Sequence, residues 1–172
     1  AGESVTDLTA DAAEVSYLKG LGGQFQPTVS LSDADFVQVD LFRDPHKEMY
    51  PFVTSVPDQG VVRVILSGNP KSGRVIQVRY NYFPIDYTAI ETYPLKTTAE
   101  AWQELQEGKG YVAQVDKSVT EAVVRRVALA YFDSFEAQKY VQPVYMFTGD
   151  NNFVGYVQAV KDPKSEVETT AK

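Results

Sequence analysis

Residues 97–102 read TTAEAW and residues 8–13 read LTADAA, so the chain contains the pattern Thr-Ala-acid-Ala twice. At the second position, Thr97 and Glu100 form a capping box, in which each side chain can bond the other residue's backbone N–H. This pattern is typical of a helix start. Its recurrence predicts a chain built from two versions of one helix-containing unit.

The first half begins with a predicted helix from Thr6 to about Leu21. Its apolar face has helical spacing, with Leu8, Ala12 and Val15. Three glycines supply the stop, namely Gly20, Gly22 and Gly23. Alternation in DFVQVDLF, residues 35–42, then predicts a strand. The β-rich runs 61–68 and 74–82, joined by the turn signal GNPKSG, predict a hairpin.

The second half contains the same order of signals. The predicted helix after Thr97 is followed by strands at 111–115 and 122–132 and by a hairpin across GDNN, residues 149–152. Pro143 cannot donate a ladder hydrogen bond, which favours a strand start or a sheet edge. The predicted core of this half comprises Trp102, Leu105, Val127, Leu129 and Tyr145.

These observations predict an α+β fold with two repeated units, each a helix packed on an antiparallel β-sheet. The first unit with its connector spans residues 1–93, and the second spans 94–161. Residues 162–172 are expected to form a frayed acidic tail.

Composition narrows the classes of function. The chain has 172 residues, 44% hydrophobic and 23% charged, which is typical of a globular protein. A net charge of −7 repels phosphate backbones, so we expect no nucleic-acid partner. The absence of cysteine excludes disulfides and thiol chemistry. The chain begins with Ala1 and not with Met, and we expect a native export signal or membrane anchor to be missing.

No catalytic or metal-binding constellation emerges from the sequence. His46 is the only histidine and has no neighbouring nucleophile, so we interpret it as a loop residue. Four acidic residues offer oxygen ligands but lack the loop and closing Glu of an EF-hand: Asp33, Asp35, Asp40 and Asp44. We therefore predict no catalytic residue, no metal and no cofactor.

The second half resembles a known family in TAEAWQELQEGKGYV (98–112), RRVALAYFDS (125–134) and QKYVQPVYMFTGDNNFVGYVQAV (138–160). These stretches are similar to the PepSY-like extracytoplasmic domains of the YycI/YycH type, which are accessory proteins of the bacterial cell envelope. The resemblance implies a helix packed on an antiparallel sheet, often in duplicated units. It also implies a non-enzymatic regulatory domain outside the cytoplasm that contacts another protein, such as a sensor kinase or a peptidase.

The chain is rich in tyrosine, and the second half contains a strand that is expected at a sheet edge. We therefore predict that the interaction surface lies in the second half. Its residues are Tyr140, Pro143, Tyr145, Asp150, Asn151 and Asn152, although the last three also suit a turn. One alternative is a carbohydrate-binding module that uses Tyr80, Tyr82, Tyr87, Tyr131 and Tyr145. A second alternative is a secreted hydrolase.

Overall fold

The computed structural model describes residues 7–44, 50–69, 71 and 74–161. Within these ranges the protein is mostly β, with 48% of residues in strands and 8% in helical segments. The chain divides into two compact units. The first comprises Ala1–Thr54, Asp58–Pro84 and Phe135–Ala137. The second comprises Ser55–Pro57, Ile85–Ser134 and Gln138–Lys172.

The described residues of the first unit form six strands and a short 3₁₀ turn at Leu31–Asp33. The strands are β1 (Leu8–Leu21), β2 (Gln24–Thr28), β3 (Phe36–Arg43), β4 (Phe52–Thr54), β5 (Val62–Ser67) and β6 (Val75–Tyr80). Its sheet has the order β2-β1-β3-β5-β6, and all neighbours are antiparallel. The predicted strand at 35–42 and the predicted hairpin of β5 and β6 are confirmed.

The helix predicted from Thr6 to Leu21 is wrong, because this segment forms the 14-residue strand β1. Gly22 and Gly23 have φ angles of +60° and +79°, so they form a two-residue hairpin turn and do not end a helix. Leu21 pairs with Gln24 directly across that turn. β1 is held on both sides, by β2 and by β3, and this ladder outweighs the helix propensity of its alanines.

In the second unit, the residues that the structure describes form one α-helix and four strands. These are α1 (Thr98–Gln106), β7 (Tyr111–Gln114), β8 (Val124–Asp133), β9 (Gln142–Gly149) and β10 (Val154–Gln158). β8, β9, β10 and β7 are neighbours in that order. The prediction for α1 is confirmed, since Thr97 accepts a hydrogen bond from the Glu100 N–H and Glu100 bonds the Thr97 N–H at 2.6 Å.

α1 packs on the sheet of the second unit through a small apolar core. Its buried members are Ala101, Phe147, Phe153 and Val157, and Trp102, Leu105, Val124 and Tyr145 pack against them. The ring of Trp102 lies 5.7 Å from that of Phe147, between centroids. Three of the five predicted core residues therefore take part. Val127 does not, because it is 42% exposed, although it lies on the same face of the sheet and opposite Phe147.

The predicted fold class of two repeated helix-on-sheet units is therefore wrong. The described part of the first unit contains no α-helix, and β1 stands where the first helix was expected. The two units share a smaller element, an antiparallel meander of a strand followed by a hairpin. It consists of β3, β5 and β6 in the first unit and of β8, β9 and β10 in the second.

Candidate functional site

One face of the first sheet carries a row of four charged side chains. The strand register places Glu14, Asp40, Arg63 and Arg79 side by side across β1, β3, β5 and β6. The row therefore reads acid, acid, base, base towards β6. We call this side of the sheet the arginine face.

Asp40, in the middle of this row, is saturated by partners. Its Oδ1 accepts from the Arg63 Nε–H at 2.8 Å and from the Gly60 N–H at 2.9 Å. Its Oδ2 accepts from Gln38 Nε2 at 2.8 Å. With three hydrogen bonds and a side chain only 4% exposed, this carboxylate is engaged within the sheet. Asp40 therefore anchors Arg63 at a fixed place on the face.

The environment of Arg79, at the end of the row, differs from that of Asp40. Its guanidinium donates to the side-chain oxygen of Gln59 at 3.1 Å, and none of the described residues gives it a carboxylate partner. The register puts it directly opposite Arg63. Like charges in facing positions of a sheet repel each other, so the row ends in an uncompensated positive charge.

A shallow groove of about 390 Å³ runs over the arginine face. Apolar side chains line one part of it, among them Leu18, Phe25 and Ile65, and polar ones line the other, among them Gln77, Arg63 and Arg79. The groove therefore combines an apolar floor with positive charge. It contains no paired carboxylates and no nucleophile with an adjacent base.

β6 forms one edge of this sheet, and all six of its residues are exposed. The Asn81 N–H donates to the Val61 carbonyl at 2.8 Å. Because bonded and non-bonded pairs alternate in an antiparallel ladder, the backbone groups of Arg79 face β5. Those of Val78 and Tyr80 point away from the sheet, where a further strand would lie.

The opposite side of the sheet is apolar. Its central row consists of four valines in register across β1, β3, β5 and β6, namely Val15, Val39, Val64 and Val78. Val15 is 58% exposed, Val78 55% and the neighbouring Tyr80 58%. We call this side the valine face. Exposed apolar surface of this extent commonly marks an interaction site.

A buried ion pair lies near the end of β3 and is structural. Arg43 donates to the Oδ2 of Asp7, and the two side chains are 1% and 2% exposed. Arg43 also donates to the Phe83 carbonyl at 3.0 Å, and its guanidinium lies 4.7 Å from the ring centroid of Tyr82. The Tyr82 hydroxyl donates to Asp7 Oδ1 at 2.7 Å. Burial, and then the bond to Asp7, raise the pKa of Tyr82.

The predicted interaction surface does not form one patch. Tyr140 is exposed and precedes β9, whereas the turn at Asp150 follows the other end of that strand. Tyr145 is half-buried, and its hydroxyl donates to the Lys96 carbonyl at 2.6 Å. Pro143 lies at the start of β9, as one alternative predicted, but β9 lies between β8 and β10, so the edge position was wrong.

The turn between β9 and β10 is held by internal contacts. Asn151 and Asn152 have φ angles of +58° and +55°, which suits their role as turn formers. Asp150 accepts two hydrogen bonds from Arg125, at 2.9 and 2.6 Å, and these bonds lower the pKa of Asp150. Asn152 donates to Asp116 at 3.0 Å. These side chains are already engaged within the unit.

The tyrosines of the carbohydrate-binding alternative lie in both units. Tyr80 and Tyr82 belong to the first, and only Tyr80 is strongly exposed. Tyr87, Tyr131 and Tyr145 belong to the second, and all three are half-buried. These five tyrosines therefore do not give either unit several strongly exposed rings, which a sugar platform requires.

The acidic residues considered as metal ligands are dispersed. Asp35 accepts from the Gly20 N–H at 2.9 Å, Asp33 lies exposed in the 3₁₀ turn, and Asp44 lies just after β3. In the described ranges, no group of three or more His, Asp or Glu side chains is placed to hold a metal ion. His46 lies in 45–49, outside the described residues.

No protein-family model matches the chain, and the searches of curated proteins and of solved structures give no significant match. None of the helices in the described part of the chain is long and apolar enough to cross a membrane.

Sequence reasoning missed the β6 edge and the two faces beside it. It identified 74–82 as a strand of a hairpin, but it placed the exposed edge on the strand of Pro143. One signal was available: VIQVRY, residues 75–80, has strong β propensity and contains neither Gly nor Pro. The charge row is visible only when the register is known.

Proposed function

We propose that this protein is a non-enzymatic interaction domain that captures an extended segment of another protein by strand addition at β6. The observation that carries the proposal is the open edge of β6, where the backbone groups of Val78 and Tyr80 point outwards. Strand addition is a common way in which sheets recognise extended peptides. The functional surface therefore lies on the first unit. The sequence had suggested a surface on the second unit instead.

The opposite edge of the same sheet is less suited to this role. β2 forms that edge and contains Pro27, which pairs with Leu18 and has no N–H. Proline on an edge strand is a common device against strand pairing. β6 lacks proline, and its only charged side chain is Arg79. The asymmetry supports β6 as the edge that accepts a partner.

The energetics explain why side chains must contribute. The outward groups of Val78 and Tyr80 offer two N–H donors and two carbonyl acceptors, which supply about 2–6 kcal/mol at roughly 0.5–1.5 kcal/mol each. Ordering a flexible segment costs a comparable amount. Stable capture therefore requires burial of apolar surface, and the valine face beside Val78 provides that surface.

We place the partner at the bacterial cell envelope, on the basis of the resemblance of residues 98–160 to PepSY-like domains. Under this proposal the protein acts outside the cytoplasm as an interaction or regulatory domain that modulates a membrane sensor kinase or a peptidase. The negative net charge of the chain supports a protein partner over nucleic acid.

The test is amide hydrogen exchange with peptides selected from a random display library. We expect selected peptides to slow the exchange of the Val78 and Tyr80 amides, which point away from β5. Val78→Pro removes one of these outer N–H groups without touching a ladder bond to β5, and it should abolish binding. Val78→Thr is the matched control, since it keeps the N–H. Peptides that protect other regions, or that bind Val78→Pro normally, would refute strand addition at β6.

A further inference from the structure

We infer that the segment added at β6 alternates acidic and apolar residues, with a carboxylate facing Arg79 and apolar side chains on the valine face. This inference rests on the proposed function, because it specifies the sequence that the β6 edge selects.

The charge row carries the first part of the inference. It reads Glu14, Asp40, Arg63, Arg79 towards the open edge. Arg63 is neutralised by Asp40, whereas the only side-chain partner of Arg79 among the described residues is the amide oxygen of Gln59. A strand added beside β6 places one of its side chains next to Arg79 on the arginine face. A carboxylate at that position supplies the counter-charge that Arg79 lacks.

The valine face carries the second part. In an added strand, the residues on either side of the carboxylate point to the opposite face, because side chains alternate. There they meet Val78 and Tyr80, which are 55% and 58% exposed. Apolar side chains at these positions extend the valine row by one strand and bury both residues.

The same reasoning argues against a second copy of this chain as the occupant. If β6 paired with β6 of another copy about a two-fold axis, Arg79 would face a residue of the sequence VIQVRY. That sequence contains no acidic residue, so no such register neutralises the guanidinium. A different, acidic strand fits the edge better.

The net charge of the chain makes a preference for an acidic peptide easy to test. The chain carries −7, so its overall field favours a basic peptide over an acidic one. A preference for an acidic peptide must therefore come from a local positive group. The probes are three end-capped, fluorescein-labelled peptides of the sequence Val-Thr-Val-X-Val-Thr-Val, where X is Glu, Gln or Lys. Binding to the full chain is measured by fluorescence anisotropy at low and high salt.

We expect the Glu peptide to bind about 10-fold more tightly than the Lys peptide, from attraction in one case and repulsion in the other. Arg79→Glu should reverse the order of the two peptides. Arg74→Glu is the matched control, because it changes the net charge equally at an exposed position before β6 and should leave the order unchanged. N-methylation of alternate peptide residues blocks backbone pairing and should abolish binding without altering the protein.

The outcomes separate the two proposals. If N-methylation abolishes binding but Arg79→Glu leaves the order unchanged, strand addition stands and the acidic specificity is overturned. If N-methylated and unmodified peptides bind equally, or none binds, both proposals fail. Self-association that is lost in Val78→Pro would identify a second copy as the occupant and overturn the inference.

Discussion

Replacing Arg43 with Met should destabilise the first unit strongly, because it removes the guanidinium that bonds the buried Asp7 carboxylate. Asp7 and Arg43 have side chains that are 2% and 1% exposed. In Arg43→Met the Asp7 carboxylate keeps the Tyr82 hydroxyl, at 2.7 Å, but loses the guanidinium. Breaking one side of a buried ion pair costs about 3–5 kcal/mol. This is a third or more of the roughly 5–15 kcal/mol that stabilises a typical domain.

The pair, and not the arginine side chain alone, should account for this loss. Asp7→Asn, added to Arg43→Met, removes the buried carboxylate charge that loses its guanidinium in the single variant. We therefore expect the double variant to lose less stability than the two single variants lose together. The difference, which is the coupling free energy of the pair, should be about 2–3 kcal/mol. The long apolar stem of Met limits the part of the loss that comes from packing.

The assay is urea unfolding followed by far-UV circular dichroism. Trp102, the only tryptophan, lies in the second unit, so its fluorescence monitors that unit separately. Arg125→Met is the matched control. It also breaks an Arg–Asp pair, but the two side chains are 62% and 44% exposed, and we expect little change. A loss below about 1 kcal/mol in Arg43→Met, or strict additivity in the double variant, would refute this account.

Three further substitutions test other parts of the fold. In Tyr82→Phe, the fall in stability above about pH 10 should be smaller. The pKa of Tyr82 is raised in the folded state, so the phenol contributes stability that is fully present below its unfolded pKa and is lost as the pH rises through its folded pKa. Denaturant titrations from pH 8 to 11 would show this difference. Trp102→Ala should lower the urea stability by about 3 kcal/mol, since the ring packs against Phe147, and an unchanged midpoint would make it a surface residue. Gly60→Ala should cost about 1–3 kcal/mol in thermal unfolding, because a Cβ there would lie 2.3 Å from the Leu41 carbonyl oxygen, and a normal melting temperature would contradict this contact.

The elements that the sequence predicted correctly are those whose signals are local. The capping box of Thr97 and Glu100 satisfies backbone groups within one turn, so no distant contact is needed to form it. The β5–β6 hairpin likewise follows from two β-rich runs and a short polar turn. These elements form as predicted because tertiary packing does not oppose their local signals.

β1 shows why the remaining prediction failed. Leu8, Ala12 and Val15 have helical spacing, but Ala13, Val15 and Tyr17 also alternate as a strand requires, and they pair with β3. The sequence of this segment supports both periods. The choice is made by β2 and β3, which bond to either side of it, and by a glycine turn that suits a tight hairpin as well as a helix stop.

The candidate site was beyond sequence reasoning for a related reason. Whether a strand lies at an edge depends on which other strands pair with it, and β6 is an edge because β5 is the only described strand that pairs with it. The uncompensated charge of Arg79 has the same origin. Asp40 and Arg63 are brought together by register across β3 and β5, and that pairing leaves the next arginine without an acid. The proposed strand addition therefore depends on the order of the strands in the sheet. The local sequence of β6 supplies only the absence of residues that would prevent it.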